Sequence, residues 1–508
     1  MVADHLPGRI GHVRTRAKLL GHALTRRHVY DVIVVGSGAT GAWTALCLAR
    51  AGRRVLVVEA GRDVSADELG RLLRYDKPPD PVPAQPRQSL LPGHSSVIAP
   101  FLVDDELNPY ATSGADDYRW FRSRQLGGRT LLWGGVTPRL SDEHFADWPF
   151  TGADLEPHYE RVERAMGVDK DQPLTAAERA LAEAFEQQWP GARVLPRPGV
   201  AGWPQRLDEH GVAWPAGASP VLFLHDALDL GAELRTDCIV ESLALEGERV
   251  IGVNVVDRLT CERSLIRSDS VVLCASSIES TRILLNSRNA DHPEGVGNSS
   301  DHLGRHLRDH ISFTVSGTTD RFTGPDSRMQ LGGPYGIYLS LPDRGYQVEG
   351  WAQRGGARPG QPARFGLATS AAMSDDSANR FTIHPDLVDA WGIPAVDISF
   401  GIGADDRAVI QRAEAEIKQA CASAGFEITA VDRHYEQISS YVHEGGTARM
   451  GASPEDSVVD PWSRVWDAPN VLVVDGACWP TNPYPNPTLT MLAIASRVCD
   501  ALTDSWGE

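Results

Sequence analysis

Two segments near the C-terminal end of the chain carry residue types that could do acid–base chemistry. One is His443-Glu444-Gly445-Gly446-Thr447-Ala448-Arg449-Met450-Gly451. The other opens with an apolar strand, Val471 to Val474, ending at Asp475-Gly476, and continues through a polar loop to Asn486-Pro487-Thr488-Leu489-Thr490. A helix from Met491 to Leu502 closes it. An imidazole titrates near neutrality and can take a hydroxyl proton. The Asn486 carboxamide can orient that hydroxyl by hydrogen bonding. Backbone N–H groups from Asn486 to Thr488, at the start of a helix, can stabilise negative charge on a reduced acceptor. Together these parts suit removal of a proton and a hydride from an alcohol. A histidine beside glycines also fits a purely structural role, so the pair alone leaves both readings open.

Such chemistry needs a rigid hydride acceptor, and the stretch Asp31 to Gly41, DVIVVGSGATG, is built to hold one. Val32, Ile33, Val34 and Val35 have the composition of a strand buried on both faces. The run breaks at Gly36-Ser37-Gly38-Ala39-Thr40-Gly41, a G-x-G-x-x-G turn, and a helix of small and apolar residues follows to Gly52. A second strand, Arg54 to Val58, ends on Glu59-Ala60-Gly61. Gly36 permits the tight turn, Gly38 lets backbone approach a pyrophosphate, and Gly41 lets helix and strand pack closely. The helix start offers N–H groups to phosphates. Glu59, about 20 residues past the turn, suits ribose hydroxyls. The fingerprint alone does not separate FAD from NAD.

The chain has 508 residues, which suggests two or three domains. Its 42% hydrophobic and 23% charged content is that of an ordinary globular protein. A net charge of −18 argues against nucleic acid and anionic membrane surfaces as partners. The seven cysteines form no C-x-x-C pair and read as core hydrophobes in a reducing compartment. No run of 18 apolar residues suggests a membrane span. The N-terminal stretch carries Arg14, Arg16, Lys18, Arg26 and Arg27 but leads straight into the first strand. It reads as a surface arm or short helix, and a cytoplasmic location is expected.

Between these ends, Lys77 to Pro92 is a Pro-rich loop by composition. Ser123 to Gly135 contains Gly127-Gly128 and Gly134-Gly135 flanking Trp133, backbone suited to pass close to something flat or bulky. A helix is expected after Asp147-Trp148-Pro149-Phe150, with Asp154, Leu155 and Tyr159 in it. Val240 to Val256 reads as a hairpin turning at Gly247. Ser270 to Cys274 reads as a buried strand, and Ser276 to Leu285 as a helix. From His310 to Tyr441 short alternating strands, such as Ile337 to Leu341 and Arg380 to Ile383, accompany one helix from about Asp405 to Ala424. Arg354 to Pro362 reads as a mobile loop.

In this order the pieces resemble the glucose–methanol–choline (GMC) oxidoreductases, FAD enzymes that oxidise alcohols. The matching segments are DVIVVGSGATGA, VLVVEAG, LGGRTLLWGG, DWPF, VVLCASSIESTRILLNS, GNSSDHLGRHLRDH, HEGGTARMG and VVDGACWPTNPYPNPTLTMLAIASR. They run from about Val29 to the C-terminus. Within the family the chain is most similar to pyranose oxidases and bacterial glycoside oxidases, whose His–Asn pair at the flavin matches His443 and Asn486. Fungal pyranose oxidases carry a flavin-linking histidine where this chain has Leu132, so FAD is expected to be noncovalent. That departure also weakens transfer of C2 specificity, and the bacterial relatives lacking the histidine include enzymes acting at C3 of glycosides.

The resemblance implies an α/β chain, α+β overall: a Rossmann-like FAD-binding domain with an inserted substrate domain of antiparallel sheet plus helices. The expected divisions are 29–75, 232–310 and 441–508 for FAD, 76–231 and 311–440 for flavin loop and substrate, and 1–28 as an extension. It assigns to FAD Gly36, Gly38, Ala39, Thr40, Gly41, Glu59, Ala60, Arg124, Gly127, Gly128, Thr130, Leu132, Trp133, Val240, Asp475, Gly476, Asn486 and Thr488, and it implies no metal site. His443 takes the proton of a pyranose hydroxyl, Asn486 positions the oxygen, and hydride passes to flavin N5. O2 or another acceptor then reoxidises the flavin. A dehydrogenase using a quinone, a noncatalytic flavin-binding protein and an NAD-dependent dehydrogenase are the alternatives. Substrate, carbon attacked and oligomeric state stay open.

Overall fold

The computed structural model describes residues 29–65, 68, 71, 83–90, 96–200, 221–326, 335–354, 357–436 and 442–505. The basic N-terminal arm and the Lys77 end of the Pro-rich stretch lie outside the described residues. β1 (Tyr30–Val35) is a run of β-branched side chains, and Val32, Ile33 and Val34 are fully buried. α1 (Ala39–Arg50) starts at the glycine turn, and β2 (Val55–Val58) follows, parallel to β1 with Val34 opposite Val57.

The chain then leaves this sheet. α2 (Gly152–Met166) follows the Asp-Trp-Pro-Phe segment, and α3 (Ala176–Gln188) is started by a Thr175–Glu178 capping box. A short β3 (Leu195–Pro196) comes next. α4 (Val221–Asp229) brings the chain back, and its Phe223 ring meets Trp43 of α1 at 4.8 Å. β4 (Glu233–Arg235) pairs parallel with β2. β5 (Cys238–Glu246) and β6 (Arg249–Asp257) form the expected hairpin, with Gly247 at a left-handed φ of 63° in the turn. β7 (Arg263–Leu273) pairs antiparallel with β6 through its first half and parallel with β1 through its second. α5 (Ser277–Asn286) follows.

β8 (Ile311–Thr323), β9 (Ile337–Leu341), β10 (Tyr346–Ala352), β11 (Pro362–Ala371) and β12 (Glu427–Asp432), with β3 at the edge, form a second sheet in the order β12-β8-β11-β10-β9-β3. All its pairings are antiparallel. The register gives it two unlike faces. Phe313, Val348 and Leu339 share one face, where the Tyr346 hydroxyl reaches Glu416 of α6 (Ala404–Ser423). Ser312, Ser370, Gln347 and Ser340 lie in one row across the other. A buried polar row is unusual in a sheet and must meet polar partners.

The chain finishes back in the first sheet with β13 (Arg464–Val465), β14 (Ala468–Val473) and α7 (Thr488–Ser505). The order there is β13-β14-β7-β1-β2-β4, parallel apart from β13. α7 begins at Thr488, three residues earlier than the periodicity suggests. The Arg354–Pro362 stretch differs from expectation at both ends. Arg354 is buried in a two-bond ion pair with Glu178 of α3 (2.6 and 2.7 Å), and Pro362 already belongs to β11. Among the described residues no helix is long and apolar enough to cross a membrane.

Candidate active site

The glycine turn and its partner loop form one end of a cavity. Gly36 sits at φ +98°, and a Cβ there would lie 2.5 Å from the Cys274 carbonyl oxygen. A Cβ on Gly41 would lie 2.0 Å from the Gly36 oxygen, so this glycine packs the helix against its own turn. Gly38 is different: a Cβ there would meet nothing within 4 Å, because it faces the cavity. Ala39 and Thr40, the first turn of α1, line the same space. The Glu59 carboxylate is fixed by three donors: the Ser37 backbone N–H (3.0 Å), the Ser37 hydroxyl (2.6 Å) and the Gly61 N–H (2.8 Å). Burial raises its pKa, and Arg124 nearby opposes that. Ala60, Arg124 and Val240 also line this end. The hairpin's register shifts just after Val240, a bulge that turns the strand there.

The second glycine-rich stretch lies directly on the first. Gly127 and Gly128 take left-handed φ values of 83° and 53°. The Gly127 N–H donates to the Ser37 hydroxyl (3.0 Å), and a Cβ on Gly128 would sit 3.7 Å from Gly38 Cα. Gly128, Thr130, Leu132 and Trp133 line the cavity beyond. Arg129 ties this loop to the histidine segment by donating to the Val442 carbonyl (3.0 Å) and the Glu444 carboxylate (2.8 Å).

His443, Asp475, Gly476, Trp479, Pro487 and Thr488 form a further part of the wall. Asp475 Oδ2 accepts from the Ser280 hydroxyl (2.5 Å), and burial pushes its pKa up to about 6. The His443 backbone N–H donates to Asp309 Oδ1 (2.9 Å), which also accepts the His310 N–H (2.7 Å). The two imidazoles meet at their Nδ1 atoms, 3.0 Å apart, with ring planes at 75°. Burial first, then His310 and Arg129, hold the His443 pKa well below the usual value. The ring is therefore neutral at pH 7 and able to accept a proton. Burial likewise takes His310 down to about 4 and Asp309 up to about 7, the latter reinforced by Glu444.

Asn486 takes a different position from the one that the resemblance implies, beside the flavin with His443. It does not line this cavity. Its Oδ1 accepts from Gln347 Nε2 (3.2 Å), and it hydrogen-bonds the buried Glu349 carboxyl. The loop 482–487 thus lies on the polar face of the second sheet. Ser370 donates to the Tyr484 carbonyl (3.3 Å), and the Ser340 and Tyr484 hydroxyls are 3.1 Å apart. Among the described residues, one oxygen each of Glu349 and Gln347, and the Ser312 hydroxyl, have no hydrogen-bond partner. Asp309, His310, Arg129, Gln347 and Glu349 carry no flag in the sequence. Arg129, inside LGGRTLLWGG, and the Asp309-His310 pair, inside GNSSDHLGRHLRDH, fall in segments that could have drawn attention.

The Gly38 cradle and His443 line one and the same cavity. The cradle has room only where Gly38 faces it, the acid is held in place at the ribose position, and a helix N-terminus points into it. These features fit a flavin dinucleotide. Among the described residues no cluster of three or more His, Cys, Asp or Glu could hold a metal.

A nucleotide cradle and a neutral imidazole on one cavity wall are the parts of a dinucleotide-dependent oxidoreductase acting on alcohols. The chain belongs to the GMC oxidoreductase family: family models so described match residues 30–312 and 375–495. It is 31% identical to a 6'''-hydroxyparomomycin C oxidase of Streptomyces lividus, over 94% of this chain and 92% of that one. It is 26% identical to a 2-methyl-1,2-propanediol dehydrogenase of Mycolicibacterium austroafricanum, over 94% and 96%. A C-glycoside 3-oxidase of Microbacterium trichothecenolyticum is 27% identical over 75% and 76%.

Proposed function

We propose that this protein oxidises a secondary hydroxyl of a pyranose sugar or glycoside to a ketone, at C3 in preference to C2, with noncovalent FAD and O2 as final acceptor. The observation that carries the reading is His443, a neutral imidazole on the wall of the cavity that begins at the Gly38 cradle. FAD, when bound, supplies the hydride acceptor. His443 takes the hydroxyl proton. Asn486, bonded to Gln347 and Glu349, anchors the loop 482–487 and with it the Pro487 and Thr488 part of the cavity wall. Gly38, Ala39, Thr40 and Glu59 bind the adenosine diphosphate portion. Leu132, an unreactive side chain, stands where a covalent link would need a nucleophile. Residues 29–75, 232–310 and 441–508 form the FAD-binding unit, and 76–231 with 311–440 the flavin-loop and substrate unit. The C-glycoside 3-oxidase relative supports a glycoside and C3.

The test is anaerobic bleaching of the bound flavin by a panel of sugars, aryl and C-glycosides and amino sugars, with the keto position mapped by NMR. Oxygen uptake is then measured with the best substrate. Bleaching by a pyranoside, a 3-keto product and oxygen uptake are expected. Bleaching only by non-sugar alcohols, or reoxidation by quinones without oxygen uptake, overturns the reading.

A further inference from the structure

We propose that His310 is a positioning residue: it fixes the tautomer of His443 so that Nε2 is the nitrogen that accepts the substrate proton. The inference rests on the reading of His443 as the base. It starts from the Pro483 carbonyl, which has lone pairs and no hydrogen. His310 Nε2 lies 2.8 Å from that oxygen, so Nε2 must carry the hydrogen of the bond. The His310 ring is neutral at working pH and holds one proton, already on Nε2. Its Nδ1 therefore presents a lone pair. His443 Nδ1 stands 3.0 Å from it, and only one arrangement makes a hydrogen bond: His443 donates from Nδ1. A neutral His443 has no second proton, which makes Nε2 its basic nitrogen. Nδ1 is turned to His310, and Nε2 is the nitrogen turned the other way on a ring that lines the cavity.

The backbone holds this pair in place. Asp309 Oδ1 accepts the N–H of both His310 and His443, and Asn482 Nδ2 donates to the His443 carbonyl (2.9 Å). Pro483 lies in the loop that carries Asn486, so the relay ties the base to the segment facing the second sheet. In the reaction the substrate O–H bond breaks, an Nε2–H bond forms, and the positive charge rests on His443. The Nδ1–H bond to His310 is unbroken throughout. Without His310 the proton can sit on either nitrogen, and the Nε2–H form cannot act as base.

Two variants and one spectrum test this in the FAD-loaded protein. The His310→Gln side chain keeps one donor and one acceptor, so it can bridge Pro483 and His443. The His310→Leu side chain keeps neither. Nitrogen NMR of histidine-labelled wild type, with His443 assigned by its loss in His443→Ala, is expected to find Nδ1 protonated and Nε2 bare. His310→Leu is expected to slow flavin reduction by about 10–100-fold with KM, FAD content and melting temperature little changed, while His310→Gln stays within about threefold of wild type. A protonated Nε2 in neutral wild-type His443, equal slowing in both variants, or His310→Leu at the wild-type rate overturns the proposal. If no sugar or glycoside reduces wild-type flavin, the functional reading fails, and the spectrum still decides the tautomer.

Discussion

Gly38 and Gly41 stand three residues apart in one motif, yet substituting them should break different things. A side chain at Gly41 would collide with the Gly36 oxygen at 2.0 Å, backbone that cannot retreat without opening the turn. Gly38 has φ −67° and ψ −164°, an ordinary extended conformation, and no atom within 4 Å of an added Cβ. Gly38→Val should therefore fold normally, with apoprotein stability within about 0.5 kcal/mol of wild type. Its isopropyl group would project into the space left for the pyrophosphate and hold it off the helix N-terminus. Losing two charge-assisted hydrogen bonds, at about 1.5–3 kcal/mol each, amounts to about 3–6 kcal/mol. At about 1.4 kcal/mol per decade that weakens FAD binding roughly 10²–10⁴-fold. The assay is FAD titration of the apoprotein by flavin fluorescence, with melting temperature as the folding control. Gly41→Val should lower the melting temperature of the apoprotein itself. A Gly38→Val protein that binds FAD as tightly as wild type, or one that fails to fold, refutes the reasoning.

Three further outcomes follow from the same geometry. With the His443 pKa well below 6.5, flavin reduction by substrate should be level from about pH 6.5 upward and fall only on the acid side, read by stopped-flow across pH. Asp309 has its pKa raised to about 7, so the folded protein holds its proton more tightly than the unfolded chain. Its contribution to stability is complete below about pH 4 and is lost as pH rises through 7. The stability gap between wild type and Asp309→Asn should therefore shift in favour of the variant over that window, by about 1.4 kcal/mol per unit at most, in urea unfolding at several pH values. Arg354→Met strands the fully buried Glu178 and should cost about 3–5 kcal/mol in the same assay.

How legible each part was depended on how far apart its partners lie in the chain. The dinucleotide turn could be read because strand, glycines and helix are contiguous, and the Gly247 hairpin because its signal is local. His310 could not be assigned a role, since it acquires one only by meeting His443, 133 residues on, and Pro483. Asn486 was found from its polar loop before a helix and from the family's His–Asn pair, but its turn toward Gln347 depends on the two-residue alternation of β10 and on which sheet face the loop 482–487 covers. Arg354 to Pro362 read as mobile because glycine and proline dominate it. The restraint on Arg354 comes from Glu178, 176 residues earlier, and no composition reveals that pairing.

The central claim is that the His443 ring serves as proton acceptor for a substrate oxidised beside the flavin. Its most direct measurement is anaerobic stopped-flow reduction of the FAD-loaded His443→Ala protein by the best sugar or glycoside, with bound flavin quantified first. The expected result is wild-type FAD content with reduction slowed about 10²–10⁴-fold. Reduction at the wild-type rate, with the flavin in place, would contradict it.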